Sequence, residues 1–214
     1  MCTKWNLQVA VKELEELFAD KEKLVLARQT AQDFVKKHSV DESWDLAMAV
    51  WQSAAFQVQE VAVFICGYIA VEHPLALSFL RDTVTGHPDW RIQEVLAMAF
   101  DNFCKAKGYS EALPVIDEWM HSTNDKQRRA VTEGLRIWTS RPYFKDNPQI
   151  AVDLLSALKL DESEYVRKSV GNALRDISKK HPELIRQEVS NWNLTDRKIR
   201  QVYRLATKFI NRTQ

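Results

Sequence analysis

The stretch SEYVRKSVGNALRDISKKHPELI, residues 163–185, decides the fold class, because Val166, Ser169, Val170 and Ala173 recur at helical spacing along it. Lys168, Asn172 and Arg175 gather on another face of the same helix. Its core, VRKSVGNALRDI from Val166, has counterparts along the chain: LVLARQTAQDFV from Leu24, VQEVAVFICGYI from Val58, IQEVLAMAFDNF from Ile92, QRRAVTEGLRIW from Gln127 and IRQVYRLATKFI from Ile199. Successive starts lie 34, 34, 35, 39 and 33 residues apart. A period in that range, with a second helical segment between each pair, is the signature of stacked helical hairpins.

The expected fold is therefore all-α: a single-domain α-solenoid of about six HEAT-like hairpin repeats spanning residues 1–214, with atypical repeats as end caps. With only five glycines and six prolines among 214 residues, and long Leu/Ala/Glu/Lys/Arg-rich segments between them, strands are not expected. Prolines at His73-Pro74, His87-Pro88, Arg141-Pro142, Asn147-Pro148 and His181-Pro182 mark helix breaks. Asp161 and Ser163 are candidate N-caps. If one helix of each hairpin lines a concave surface, the third, seventh and tenth positions of the repeats form a groove. These positions read Glu60, Phe64, Gly67; Glu94, Met98, Asp101; Arg129, Glu133, Arg136; Lys168, Asn172, Arg175; and Gln201, Leu205, Lys208.

Charge is unevenly spread. Residues 1–120 hold 11 Lys/Arg against 18 Asp/Glu, a net −7, and residues 121–214 hold 19 against 11, a net +8. A basic C-terminal half points to a polyanion partner or to a solvated basic surface. The longest apolar run, Val61 to Val71, is far shorter than the roughly 20 residues of a membrane span. The N-terminus lacks the pattern of a secretory signal, so the expected location is the cytoplasm. Cys2, Cys66 and Cys104 show no CxxC spacing and read as reduced thiols. Phosphate-binding glycine loops, the GxSxG elbow and HExxH are missing, and His38, His73, His87, His121 and His181 are scattered, so neither metal nor cofactor is expected.

Trp90 and Glu94 stand four residues apart on one helix face, with Asp101 two turns further. An indole beside a carboxylate suits a cationic ligand; the same pattern also describes a partly buried tryptophan and a solvated glutamate. Arg129, Arg136, Lys168 and Arg175 have the chemistry of phosphate clamps, and they equally suit a solvated face or ion pairs with Glu133 and Asp176.

At these residues the chain resembles the AlkD/AlkC family of bacterial DNA alkylation repair proteins, HEAT-like repeat glycosylases for alkylated purines. The likeness covers roughly Val40 to Ile210. Its most specific parts are QRRAVTEGLR and SEYVRKSVGNALRDISKKHPEL, closest to the AlkC branch, and DWRIQEV, in the place of the family's tryptophan-plus-acid motif. The resemblance implies that Glu94 is the catalytic carboxylate and that Trp90 packs against the damaged nucleotide. It places Arg129 along the DNA backbone and Arg175 and Asp176 among groove-facing residues near the lesion; beside these, the groove reading expects Asp101 and Asn172 near the lesion or its sugar and Arg136, Lys168 and Arg175 along the backbone. It further implies action on alkylated double-stranded DNA with excision of N3- or N7-alkylated purines; a monomer without membrane, metal or cofactor is the accompanying expectation.

The chain departs from the family pattern at two places. Asn172 stands where the AlkD branch has a second groove tryptophan, and Asp20 to His38 has room for one helix where family glycosylases carry an additional substrate-recognition helix. A non-catalytic protein that recognises damaged, bent or branched DNA by shape is the alternative, and a protein-binding scaffold is a third reading.

Overall fold

The computed structural model describes residues 6–19 and 24–210; Cys2 and the start of the Asp20–His38 stretch lie outside the described residues. Every regular element among them is helical, in agreement with the expected fold class. The chain divides into two compact units, residues 1–106 and 107–214.

In the first unit, α1 (Leu7–Phe18), α2 (Leu24–Lys37), α3 (Val40–Trp51), α4 (Phe56–Ile69) and α5 (Pro74–Asp82) lead through a 3₁₀ turn at Val84–Gly86 into α6 (Trp90–Lys107). The helix α4 is its core: Val58, Val61, Ala62, Val63, Phe64, Ile65 and Cys66 are all fully buried. That all-round burial follows from a segment apolar on every face, packed by α2 on one flank and α3 on the other. The expected groove positions Phe64 and Gly67 therefore lie inside the unit. A Cβ on Gly67 would stand 2.6 Å from the Ala99 Cα, so glycine is what lets α4 and α6 approach closely.

The second unit contains α7 (Leu113–Met120), α8 (Asp125–Gly134), a 3₁₀ turn at Trp138–Ser140, α9 (Pro142–Asp146), α10 (Pro148–Ala157), α11 (Glu164–Ser178), α12 (Pro182–Ser190) and α13 (Arg197–Ala206). Here α11 is central, packed against α8, α10, α12 and most extensively α13. The residues Val166, Ser169, Val170 and Ala173, picked out by periodicity, are all buried, and Ser169 Oγ donates to Thr132 Oγ1 at 2.7 Å.

The repeat segments from Leu24, Val58, Ile92 and Val166 lie within α2, α4, α6 and α11, and those from Gln127 and Ile199 begin on α8 and α13 and run past their ends at Gly134 and Ala206. The prolines at positions 74, 142, 148 and 182 open helices α5, α9, α10 and α12, where the missing N–H costs nothing. Ser163 occupies the N-cap position of α11 without a side-chain cap; Asp161 Oδ1 instead accepts from the Ser163 N–H at 2.8 Å.

Candidate nucleic-acid interface

Two sites stand out, one in each unit. In the first, the HPDW sequence builds the entry to α6. Asp89 Oδ1 accepts from the Arg91 N–H at 2.9 Å, closing the first helical turn, and His87 Nδ1 accepts from the Asp89 N–H at 3.1 Å. The buried Gln93 side chain donates to the carbonyls of Val84 and His87, both at 2.9 Å, and ties the preceding turn to the helix. Trp90 is thereby presented at the first position of α6 with 70% of its surface exposed. An indole that exposed contributes little to the core and is available to a ligand.

Trp90 and Glu94 line a pocket of about 330 Å³ together with Glu60, Phe56, Leu24 and Met98. Glu60, on α4, is only 5% exposed, so the pocket holds a buried carboxylate as well as the partly exposed Glu94. Arg91 also lines it: its guanidinium lies 3.4 Å from the centre of the Phe56 ring and bonds Asp89 in bidentate fashion, with the shorter contact at 2.7 Å. The hydrogen bonds from Arg91 hold the Asp89 carboxyl below the usual carboxylate range. Neither Phe56 nor Arg91 stands out in the sequence, because a cation–π stack between residues 56 and 91 has no local signature. Asp101 lies further along α6, partly exposed and outside the pocket lining.

The second site is a cleft of about 810 Å³ between α11 and α13. Lys168 and Asn172 line it from α11, Gln201 and Leu205 from α13, and these four come from the predicted groove positions. Five further cations, Arg167, Lys198, Arg197, Arg200 and Arg204, complete it, with Glu164 as the one acid in the lining. Arg167 is a brace: it donates to Gln201 Oε1 at 2.8 Å and to the carbonyls of Asp161 and Glu162. Lys168 pairs with Glu164 at 2.7 Å, raising the lysine's pKa and lowering the glutamate's, and Lys198 bonds Glu162 at 2.5 Å. Arg197, Arg200 and Arg204 are exposed and have no carboxylate partner among the described residues. Their spacing of three and then four residues in RKIRQVYR puts them in one row, a signal that was available in the sequence.

The other clamp candidates sit differently. Arg136, just beyond α8, donates from Nε to Asp176 Oδ2 at 2.7 Å and lies 3.5 Å from Glu133. Lys179 adds a bond to Asp176 Oδ1 at 3.1 Å. Burial pushes the Asp176 carboxyl up, but the bonds from Arg136 and Lys179 outweigh it and hold the group below its ordinary value. The Arg175 Nε lies 3.7 Å from Asp176 Oδ1 and makes no hydrogen bond. Arg129 is partly exposed on α8, and none of Arg129, Arg136 and Arg175 lines the cleft.

No group of three or more His, Cys, Asp or Glu capable of holding a metal occurs among the described residues, and no described helix is long and apolar enough to cross a membrane.

Comparison with known proteins supplies the context for both sites. The chain is 49% identical to AlkD2 from Streptococcus mutans, with a TM-score of 0.92, covering 95% of this chain and 99% of that one. It shares its fold with the Pseudomonas fluorescens alkylpurine DNA glycosylase AlkC, a structure bound to DNA containing an abasic site analog. There the TM-score is 0.52 at 22% identity, covering 96% of this chain and 62% of that one. A curated relative, the uncharacterized protein YhaZ of Bacillus subtilis (strain 168), is 41% identical over 98 residues, which are 42% of this chain and 28% of that protein's length. The α-solenoid of HEAT-like repeats is the architecture that the AlkD2 structure shares with the helices described above. Residues 23–208 match the DNA alkylation repair enzyme family, and the chain belongs to that family.

Proposed function

We propose that this protein binds alkylated duplex DNA and releases N3- or N7-alkylated purines, with Glu94 as the charge-stabilising carboxylate. The observation that carries the reading is the first unit's pocket, where an exposed Trp90 and the carboxylates of Glu94 and Glu60 line one cavity. A purine alkylated at N3 or N7 is already cationic and leaves readily. As the C1′–N9 bond breaks, its electron pair departs with the base, which becomes neutral, and the positive charge passes to an oxocarbenium-like sugar. A carboxylate at Glu94 favours that distribution in the transition state, and water then adds to C1′ and gives its proton to solvent. Trp90 would hold the sugar and the lesion edge by its exposed ring face. The cleft of the second unit supplies the phosphate contacts, with Lys168 the clamp candidate that lines it and Asn172 also in its lining. Arg129 and Arg175 remain proposed backbone contacts and Asp101 a proposed contact near the sugar. Arg136 and Asp176 serve each other first as an ion pair.

A second reading, recognition of DNA without base release, is favoured by Arg91. A fixed guanidinium in the pocket wall competes with a cationic base for the same carboxylates. The deciding experiment is single-turnover release of free alkylated purine from methylated duplex DNA, comparing the unmodified chain with Glu94→Gln. Release by the first and not the second, with equal DNA affinity, supports the glycosylase reading. No release with intact duplex binding supports recognition alone.

A further inference from the structure

We propose that the α11–α13 cleft, together with Tyr165 beside it on α11, is a docking site for unpaired nucleotides: it grips a DNA strand by its phosphates where at least one base is free to stack on the phenol ring. The inference rests on the reading of the protein as DNA-binding and deepens it by naming the DNA structure that the second unit selects.

Three observations converge. Tyr165 is 71% exposed, in the first turn of α11, and makes no ring contact with another aromatic among the described residues. It stands three residues before Lys168 and seven before Asn172, both of which line the cleft, so although it is not in the lining itself it shares their side of α11. The arginine row on α13 is the second observation. Arg197, Arg200 and Arg204 are exposed and carry no carboxylate partner among the described residues. The row is about 10 Å long at a 1.5 Å rise per residue, long enough to meet successive phosphates of one strand. Two of these arginines stand in the first turn of α13, where positive charge opposes the helix dipole. A protein keeps such an arrangement at some cost to the free chain, and an anion in the cleft offsets that cost. The third is the construction of the cleft. A Cβ on Gly171 would stand 2.7 Å from the Leu205 Cβ, so the glycine permits the close crossing of α11 and α13, and Arg167 bonds Gln201 across it. The walls are thus held at a defined separation before any ligand arrives.

Why unpaired nucleotides rather than uniform duplex follows from the ring. In an intact duplex the base faces are covered by their neighbours, and an exposed phenol beside the phosphate contacts gains nothing from them. A strand with a free base offers a π-face within reach of the backbone contact. Stacking of a base on an aromatic side chain is worth about 1–3 kcal/mol, and tenfold in affinity, about 1.4 kcal/mol, lies toward the lower end of that range. Ion pairing alone gives no preference for the gapped form, because unpaired strands carry no denser phosphate charge than the duplex.

The test uses the full chain and two fluorescein-labelled duplexes of equal length and sequence, one intact and one with a four-nucleotide central gap, measured by anisotropy at fixed salt. The expected result is about tenfold tighter binding of the gapped duplex. Tyr165→Ala should abolish that preference while leaving affinity for the intact duplex unchanged, and Tyr165→Phe should retain it. A variant with Arg197, Arg200 and Arg204 all changed to Ala should weaken binding of both duplexes. Because all four side chains are exposed, circular dichroism should find each variant folded. Equal affinity for the two duplexes, or a gap preference that survives Tyr165→Ala, overturns the inference and leaves the DNA-binding reading standing if the arginine variant still loses affinity. Unchanged binding by the arginine variant moves the interface elsewhere and overturns the inference. Failure of the unmodified chain to bind either duplex overturns both.

Discussion

Arg136 Nε and Asp176 Oδ2, forty residues apart in the chain, meet at 2.7 Å and tie the segment after α8 to α11. Asp176 is 6% exposed, so removing either partner leaves a charge without its counter-ion in a poorly solvated place.

Asp176→Asn should therefore lower stability at neutral pH by about 2 kcal/mol, a value below that for a fully buried pair because Arg136 keeps solvent access. The pH dependence has a definite sign. The folded carboxyl is held below its unfolded value of 3.8, so its contribution is present above that value and is lost as pH falls through the folded one. The difference in thermal midpoint between the unmodified chain and Asp176→Asn should be widest near neutrality and should narrow below about pH 4. A gap that stays constant through acid titration would show that the pair is not what the substitution removes.

The repeat order was legible because apolar spacing near 3.6 residues is a one-dimensional signal, and each of the six segments begins on a helix. What faces the ligand was less so. From Val61 onward every face of α4 is apolar, and periodicity cannot orient such a stretch, which is why Phe64 and Gly67 read as groove positions and are in fact packed inside. Applying one fixed set of repeat positions also passed over Arg197, Arg200 and Arg204, which line the cleft beside the chosen Gln201 and Leu205. The pairings of Arg128 with Asp161 and Arg136 with Asp176 join residues 33 and 40 apart, and no local pattern predicts such partners. The result is that Arg129, Lys168, Arg175 and Arg136 looked alike in sequence, whereas the fold gives them different surroundings.

Those surroundings separate binding from stability. Lys168→Ala and Arg200→Ala should each weaken DNA binding similarly across sequences and reduce the slope of log affinity against log salt by about 1. Their thermal midpoints should stay close to that of the unmodified chain, since both residues are exposed. Arg136→Ala should behave in the opposite way, lowering the midpoint while leaving the salt slope nearly intact. A salt slope that Lys168→Ala and Arg200→Ala leave unchanged would remove the cleft from the DNA contact.

Trp90→Ala addresses the first unit. With 70% of its surface exposed, Trp90 can be removed at a stability cost within about 0.5 kcal/mol. If the indole holds the lesion, the variant should lose about tenfold in affinity for alkylated over unmodified duplex, or in the rate of base release, at unchanged melting temperature. A large drop in melting temperature would instead make Trp90 a structural residue.

The two interhelical glycines offer the sharpest contrast. A Cβ at Gly67 meets the Ala99 Cα at 2.6 Å and the Ala99 carbonyl oxygen at 2.8 Å, and neither atom can rotate aside. A Cβ at Gly171 meets the Leu205 Cβ at 2.7 Å and Cδ1 at 2.8 Å; the terminal methyl can swing away, but the Cβ requires a shift of α13. Overpacking of this kind costs about 1–3 kcal/mol where neighbours can adjust and more where backbone must separate. Gly67→Ala should thus be the more damaging substitution, lowering the denaturation midpoint beyond Gly171→Ala. The milder Gly171→Ala should show its effect in DNA affinity, because shifting α13 changes the cleft that Leu205 and the arginine row line. Denaturant titration beside anisotropy reads both quantities, and equal destabilisation with no change in affinity for Gly171→Ala would mean that the spacing of α11 and α13 does not set the shape of the binding cleft.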